Sequence, residues 1–446
     1  MYIKNQNFLV LGVSKSGFAV ANYILSKGGK CFIYEELSSV KIDNAISELL
    51  ELGAVRINKD SIDKLLNYID VVIISPGVPI NHEIAVKSKN LGIRIIGELE
   101  FGYLQFLPTI IGITGTNGKT TTATLIDAIL NEQGVKSLLV GNVGVPITSK
   151  VCDANSDSIC VAEVSSFQLE TTSSFCPHIS CILNIAPDHL ERHYTMENYI
   201  FLKKRIFKNQ RESEYTLLNY DDELVRSFSN EAKSKIKYIS LKEKVDGAYR
   251  IEDKLFFGDE FIISQKSLML KGEHNVYNTL FAICVCKLLG VNNEAIVNAL
   301  LNFKGVKHRM ELIANIAGVE YYNDSKATNT ASTITAIENM SKPSVLILGG
   351  SDKGENYLEL FKKIKESCVR HVIIMGATRL KMFESAMSVG CTNITLTYDF
   401  ATAVKIAKLI ATEGECVLLS PACASFDAFS SFEERGDKFK AIVEEV

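Results

Sequence analysis

The chain has 446 residues, 47% of them hydrophobic and 22% charged, and its 48 basic and 52 acidic side chains leave a net charge of −4. That composition provides for several large cores and excludes global disorder; it offers no basic footprint for nucleic acid and no polybasic patch for a membrane surface. No apolar run approaches the length of a membrane helix, the N-terminus lacks a signal-peptide core, and roughly three domains of about 150 residues are expected.

The first domain is expected over 1–97. FLVLGVSKSGFAVANYILSKGGKCFIYEE reads as strand, glycine turn, helix and strand, a Rossmann-like unit with Gly12 and Gly17 bracketing the turn. Ser14 stands where a dinucleotide fingerprint has its middle glycine, which weakens a nicotinamide-dinucleotide reading but leaves an anion at the turn open. DVVIISPGVP is a strand ending in Ser75-Pro76-Gly77, at the carboxyl edge where open α/β sheets bind ligands; a plain strand-ending turn is the alternative. GIRIIGELEF reads as a further strand leading into the second domain.

The second domain, 98–304, opens on IIGITGTNGKTTTATLI. A short apolar strand, a loop with Gly115 and Gly118, then Lys119-Thr120 and an amphipathic helix have the layout of a phosphate-binding loop. The glycines let backbone N–H groups face an anion, and the helix start adds the positive end of its dipole. Lys119 supplies charge to the outer phosphates and Thr120 a hydroxyl for Mg²⁺. The strict motif would put a glycine where Ile113 stands, so the match is by layout. Further on, SICVAEVSSFQLE puts Glu163 at a strand end, where a carboxylate is useful to a metal ion or merely favoured by a helix start. His189 and His193 are four apart, but Leu190 stands where a zinc protease has Glu, so a zinc protease is rejected; His189 is a metal or phosphate candidate, or a capping or core histidine. Residues 209–272 read as an antiparallel or mixed sheet, and a helix is expected from Asn275 to Leu289.

The third domain, 305–446, alternates strands and helices and is expected to be parallel α/β. Asp324, Ser325, Lys326, Thr328 and Asn329 crowd one turn, and Lys353 follows the Gly349-Gly350 turn. The eleven cysteines are odd in number and never spaced C-x-x-C, so they read as buried hydrophobes in a reducing cytoplasm.

GITGTNGKTT, AEVSSFQLE, DHLERH, GEHNVYN, HRME, NDSKATN, GGSDKG and LSPACASFDAF resemble the motifs of the Mur ligases, in the same order and over nearly the whole chain. SSFQLE, NDSKATN and SPACASFDAF resemble the member that adds D-glutamate, whereas the phosphate loop is shared with folylpolyglutamate synthases. The resemblance implies a cytoplasmic ATP- and Mg²⁺-dependent ligase of peptidoglycan synthesis, acting on UDP-N-acetylmuramoyl-L-alanine and D-glutamate through an acyl phosphate. A monomer is expected, with the UDP end held by the first domain, ATP by the second and the amino acid by the third. By the same resemblance, Gly115, Thr116, Asn117, Gly118, Lys119, Thr120, Thr121, Asn275, Arg309 and Asp324 would bind ATP. Thr120, Glu163, His189 and Lys203, the last as a carbamate, would hold metal, and Lys119, Glu163, His189 and Lys203 would be catalytic. Lys15, Ser16, Ser75 and Gly77 would contact the UDP moiety, with Glu35 and Glu36 near uracil; Asn142 and His189 would lie near the muramoyl-alanine end. Lys326, Thr328, Lys353, Ser425 and Phe432 would take D-glutamate. A related ligase with another amino acid or acceptor is the alternative, and a dinucleotide-binding dehydrogenase or sensor is the reading from another class.

Overall fold

In the computed structural model the described residues are all of 1–446 except Leu107, Val143, Gly144, Lys271, Lys304, Asn339, Lys353 and Val446, and the side chain of Glu191. Three sheets with flanking helices build an α/β protein. The chain divides into two compact units, Met1–Phe303 and Lys304–Val446.

The first unit holds two of the sheets. β1 (Asn7–Leu11), β2 (Lys30–Tyr34), β3 (Val55–Arg56), β4 (Val71–Ile74) and β5 (Arg94–Gly97) pair in the order β3-β2-β1-β4-β5, all parallel. The central β1 and β4 are covered on both faces, which is why they read as unbroken apolar runs. Chain order reverses between β1 and β4, so the Gly12 and Ser75 turns meet at the switch point. The stretch after β5 departs from expectation: Glu98–Gln105 is a helix, not a strand continuation. Its Phe101 packs in the first core with Phe8, while Leu99 packs in the second with Ile110 and Phe175.

Two buried carboxylates fasten this helix to the second sheet's loops. Glu98 Oε1 accepts the Thr148 N–H at 2.8 Å. Glu100 accepts the backbone N–H groups of Ser173, Ser174 and Phe175 and both serine hydroxyls. Burial alone would raise the Glu100 pKa; the donors of Ser174 and Ser173 hold it below the ordinary carboxylate range.

The second sheet runs β14-β13-β12-β11-β10-β9-β6-β8-β7. Its strands are β6 (Thr109–Thr114), β7 (Ser137–Gly141), β8 (Ile159–Glu163), β9 (Ile179–Ile182), β10 (Tyr215–Asn219), β11 (Lys235–Ser240), β12 (Gly247–Ile251), β13 (Lys254–Phe257) and β14 (Glu260–Ser264). Parallel pairing runs from β7 to β12, and β13 and β14 close the edge antiparallel, so 209–272 contributes a mixed extension. Helices Lys119–Glu132 and Glu273–Leu288 pack with the apolar residues of this sheet; the latter starts two residues before the expected Asn275.

The second unit has β15 (Glu311–Ile316), β16 (Val319–Asn323), β17 (Ser344–Gly349), β18 (Val369–Met375), β19 (Ile394–Leu396) and β20 (Cys416–Leu419), in the order β15-β16-β20-β17-β18-β19. It is parallel except for β15, which forms a hairpin with β16 and corrects the expectation of a wholly parallel domain. Ala317-Gly318, both at positive φ, make the two-residue turn that permits the hairpin.

Candidate active site

The phosphate loop joins β6 to the helix Lys119–Glu132. Gly118 caps that helix at φ +85°, and a Cβ there would overlap Asn278 Oδ1. Gly115 lies at φ +146° against Leu183 and Asn184. Both positions therefore demand glycine for two reasons, backbone conformation and lack of space. Asn184 clamps the loop: its Oδ1 accepts the Asn117 N–H at 2.8 Å, its Nδ2 donates to the Asn117 carbonyl at 3.1 Å, and its own carbonyl accepts the Thr116 N–H at 3.0 Å. Thr116 Oγ1 lies 3.1 Å from Tyr199 Oη and accepts the Ala186 N–H at 2.9 Å. Lys119 Nζ folds back to donate to the carbonyls of Gly115 and Thr116, at 2.9 and 2.7 Å. Thr120 and Thr121, in the first helical turn, are buried.

Glu163 stands opposite Ile113 across the β6–β8 register. Asn142 Nδ2 donates to its Oε1 at 2.7 Å, and the buried Oε2 has no protein hydrogen-bond partner among the described residues. A buried carboxylate oxygen left open at the end of β8 is a donor suited to a hard cation such as Mg²⁺.

Lys203 is the second buried charge-bearing group here. Its Nζ donates to the Gly115 carbonyl at 2.8 Å and to Thr114 Oγ1 at 3.2 Å, and lies 5.2 Å from the Tyr199 ring centre. Burial first, then the nearby Lys119 charge, push its pKa well below the ordinary lysine range. Lys204 instead turns out to Glu231 at 2.7 Å.

His189 begins the short helix Leu190–His193 at φ +54° and packs its ring on Phe167, centroids 4.9 Å apart. His193 is a core residue, with Nε2 2.9 Å from Ser166 Oγ and its ring against Phe167 and Tyr199. Among the described residues no three His, Cys, Asp or Glu side chains gather as a metal cage. Asn275 lies in the first turn of Glu273–Leu288, and its Oδ1 accepts from Asn278 Nδ2 at 3.2 Å.

In the first sheet the Gly12 turn is built by close contact. Ser75 Oγ donates to the Gly12 carbonyl at 2.7 Å, and a Cβ at Gly17, inside the helix Lys15–Ser26, would collide with that carbonyl. Lys15 and Ser16 open that helix, and Gly77 faces open space. Glu35 is committed to the backbone, accepting from the Val13 and Leu37 N–H groups at 2.7 and 2.9 Å. Glu36 accepts from Tyr34 Oη at 2.8 Å and faces His82 Nε2 at 3.4 Å. The Tyr34 bond first, with His82 and Lys59 beyond it, holds the Glu36 pKa low.

The second unit gathers its own cluster at the ends of β16, β17 and β20. Asp324 is buried, with Oδ2 accepting from Ser420 Oγ at 2.7 Å and Oδ1 from the Met310 N–H at 3.2 Å. Burial lifts its pKa to about 6 against these bonds and the Arg309 charge. The turn Asp324–Thr328 is held by Lys326 N–H to the His308 carbonyl at 2.9 Å. Ser425 is buried after β20, and Phe432 opens the helix Phe432–Glu444. The fully buried Arg435 fastens these pieces together: it donates to Ser325 Oγ at 2.9 Å, the Ser325 carbonyl at 2.8 Å, and the Cys423 and Ala424 carbonyls at 3.1–3.2 Å. Lys353 lies outside the described residues.

The sequence reading did not single out Asn184, Asn278, Tyr199 or Arg435. Asn278 and Arg435 do sit inside quoted motifs or beside them, in GEHNVYN and after SPACASFDAF.

Residues 6–97 match the MurD-like N-terminal domain of Mur ligases, 113–286 the Mur ligase middle domain, and 308–423 the Mur ligase glutamate ligase domain. The UDP-N-acetylmuramoylalanine–D-glutamate ligase of Caldanaerobacter subterraneus subsp. tengcongensis is 40% identical over 446 residues, 99% of each chain. The enzyme of that name from Thermoanaerobacter sp. strain X514 is 41% identical over the full length of both chains. Two solved structures share the fold at low identity. The UDP-N-acetylmuramate-alanine ligase MurC of Thermotoga maritima has a TM-score of 0.60 at 16% identity and covers 99% of both chains. The MurF ligase of Thermotoga maritima in complex with ADP has a TM-score of 0.58 at 17% identity, covering 99% of this chain and 96% of that one. Motif order, three matched domains and full-length identity near 40% together show that the chain belongs to the Mur ligase family.

Proposed function

We propose that the protein is an ATP-dependent amide ligase that joins D-glutamate to UDP-N-acetylmuramoyl-L-alanine, releasing ADP and phosphate, in cytoplasmic peptidoglycan precursor synthesis. The observation that carries the reading is the glycine loop with two buried groups beside it, the open carboxylate Glu163 and the charge-averse Lys203. The full-length likeness to D-glutamate ligases supports the choice of amino acid and acceptor.

The substrate carboxylate is a poor acyl group until one oxygen becomes a leaving group. Its oxygen attacks the γ-phosphorus and ADP departs; the D-glutamate amine then attacks the carbonyl carbon, and phosphate leaves with that oxygen. In this account the loop N–H groups and Lys119 hold the β- and γ-phosphates, Lys119 exchanging the carbonyls of Gly115 and Thr116 for phosphate oxygens. Thr120, Glu163 and His189 would hold Mg²⁺, and Asn142 fixes the Glu163 carboxylate for it. Bound Mg²⁺ supplies charge that offsets the repulsion between the carboxylate and the phosphate.

Burial and the nearby Lys119 charge favour the neutral form of Lys203, the form from which a carbamate arises. Its neutral amine can attack CO₂, forming an N–C bond and releasing a proton, which turns a cation into an anionic oxygen ligand. Residues 1–97 would hold the UDP end through Lys15, Ser16, Ser75 and Gly77, and 98–304 would hold ATP, Asn275 included. In 305–446, Lys326, Thr328, Lys353, Ser425 and Phe432 would take D-glutamate, and Arg309 and Asp324 are further ATP candidates.

Phosphate release with each component omitted in turn tests the reading. Release is expected only with ATP, Mg²⁺, UDP-N-acetylmuramoyl-L-alanine and D-glutamate together. Release with L-alanine, a diamino acid or a folate acceptor in place of the expected partner would move the chain to another branch of the family.

A further inference from the structure

Arg192 and Glu170 sit in the DHLERH and SSFQLE stretches, and no step above uses either. Their geometry is specific. Arg192 Nη2 donates to Glu170 Oε2 at 2.8 Å, and both side chains are largely buried, 16% and 15% exposed. The guanidinium lies over the Phe167 ring, 4.7 Å from its centre, and that same ring supports His189. The same Nη2 also donates to the Val78 carbonyl at 3.3 Å.

Val78 lies in the bend that follows β4 of the first sheet, 114 positions away in sequence. Its N–H donates to the Ser75 carbonyl at 2.9 Å, and Ser75 in turn holds the Gly12 carbonyl. One planar cation thus spans from the turns at the switch point of the first sheet to the corner that carries His189. Lysine could not reproduce this, because stacking and two in-plane donations need the guanidinium fork.

We propose that Arg192, braced by Glu170 and Phe167, is a strut that fixes the spacing between the Ser75–Val78 turn and the His189 corner. It is a positioning residue for the nucleotide-linked acceptor, whose two ends those sites would hold, and the proposal rests on the function given above. The His189 corner has holds of its own, from the His193 N–H to the His189 carbonyl at 3.0 Å and from the Thr116–Ala186 pair. Loss of the strut therefore changes the spacing and leaves the corner formed.

The test compares two acceptors that share the reacting carboxylate. One is UDP-N-acetylmuramoyl-L-alanine; the other is its fragment 1-phospho-N-acetylmuramoyl-L-alanine, which lacks the uridine monophosphate end. For Arg192→Lys and Glu170→Ala, kcat/KM for the full acceptor falls about 10- to 100-fold, mainly through KM, as a small displacement of one binding end requires. For the fragment, kcat/KM changes less than about 3-fold, and Glu170→Gln, which keeps an acceptor oxygen, loses little with either. The ATP KM and the melting temperature of Arg192→Lys remain near those of the wild type. Equal losses with both acceptors would make Arg192 a local support of His189 and overturn the strut; unchanged kinetics would overturn it as well. Wild-type turnover is scored first, so failure of the functional reading shows in the wild type and failure of the strut only in the variants.

Discussion

Lys203 directs its amine at the carbonyl oxygen of Gly115, 2.8 Å away in the phosphate loop, while Lys204 beside it reaches out to Glu231. The buried amine is held below the ordinary lysine pKa by desolvation first and by Lys119 second. Between that depressed value and 10.5 the unfolded chain binds more protons than the folded one. This group's contribution to stability therefore rises with pH through that window, and acid works against it. The neutral amine is also the form that reacts with CO₂.

Two measurements follow for this lysine. Lys203→Ala lowers turnover by about 100-fold or more, the order expected when a charge-stabilising group beside the transferring phosphoryl is lost. Wild-type turnover falls in CO₂-stripped buffer and returns with bicarbonate, whereas Lys203→Ala is indifferent to bicarbonate and Lys204→Ala behaves as the wild type.

Gly118→Ala tests the loop's backbone. The added Cβ meets Asn278 Oδ1 at a φ that L residues avoid. The variant loses roughly 1–3 kcal/mol from strain, and more if Asn278 cannot yield. Its ATP affinity falls at least about 10-fold, read by calorimetric titration.

Glu98 gives a pH-dependent stability of opposite slope to Lys203. Burial raises its pKa from 4.5 to about 7 against the Thr148 hydrogen bonds. Between those values the folded state keeps a proton that the unfolded chain releases, so this contribution is greatest below 4.5 and is lost as pH rises toward 7 and beyond. The swing is roughly 3 kcal/mol for a shift of this size. Glu98→Gln, which keeps an acceptor for the Thr148 N–H, removes the swing. Its melting temperature rises relative to the wild type between pH 5 and pH 8, measured side by side.

Arg435 is tested by stability of the second unit. Arg435→Ala leaves the Ser325, Cys423 and Ala424 carbonyls without their buried donor, at a cost of roughly 3 kcal/mol or more. Calorimetry is expected to show a lowered transition for this variant, with Arg435→Lys intermediate because an ammonium's three donors cannot reproduce the guanidinium fork that serves three carbonyls and the Ser325 hydroxyl.

What could be read from the sequence was local. The Gly115–Thr120 loop declares itself because strand, glycines, Lys-Thr and helix are contiguous, and Glu163 was legible as the last residue of an apolar run. The mixed extension of the second sheet and the switch-point turns at Gly12 and Ser75 were legible in the same way. The rest depends on partners distant in sequence. Glu100 reads as an ordinary acidic residue in a strand-like stretch until Ser173–Phe175, more than seventy positions on, supply its donors. Arg435 reaches 110 residues back to Ser325. Lys203 and Lys204 are indistinguishable as neighbours in sequence; their opposite environments come from the helix Met196–Lys204 packing one face on the loop. The β15–β16 hairpin was missed because its alternating pattern sat beside apolar runs typical of a parallel sheet.

The most direct test of the central claim follows one oxygen atom. The acceptor is prepared with ¹⁸O in its alanyl carboxylate and turned over with ATP, Mg²⁺ and D-glutamate, and the released phosphate is analysed by mass spectrometry. A ligase working through an acyl phosphate transfers one labelled oxygen to each phosphate and leaves one in the new amide. Phosphate without label, formed while ATP is consumed, would mean that water rather than the carboxylate attacks the γ-phosphorus, and would contradict the account.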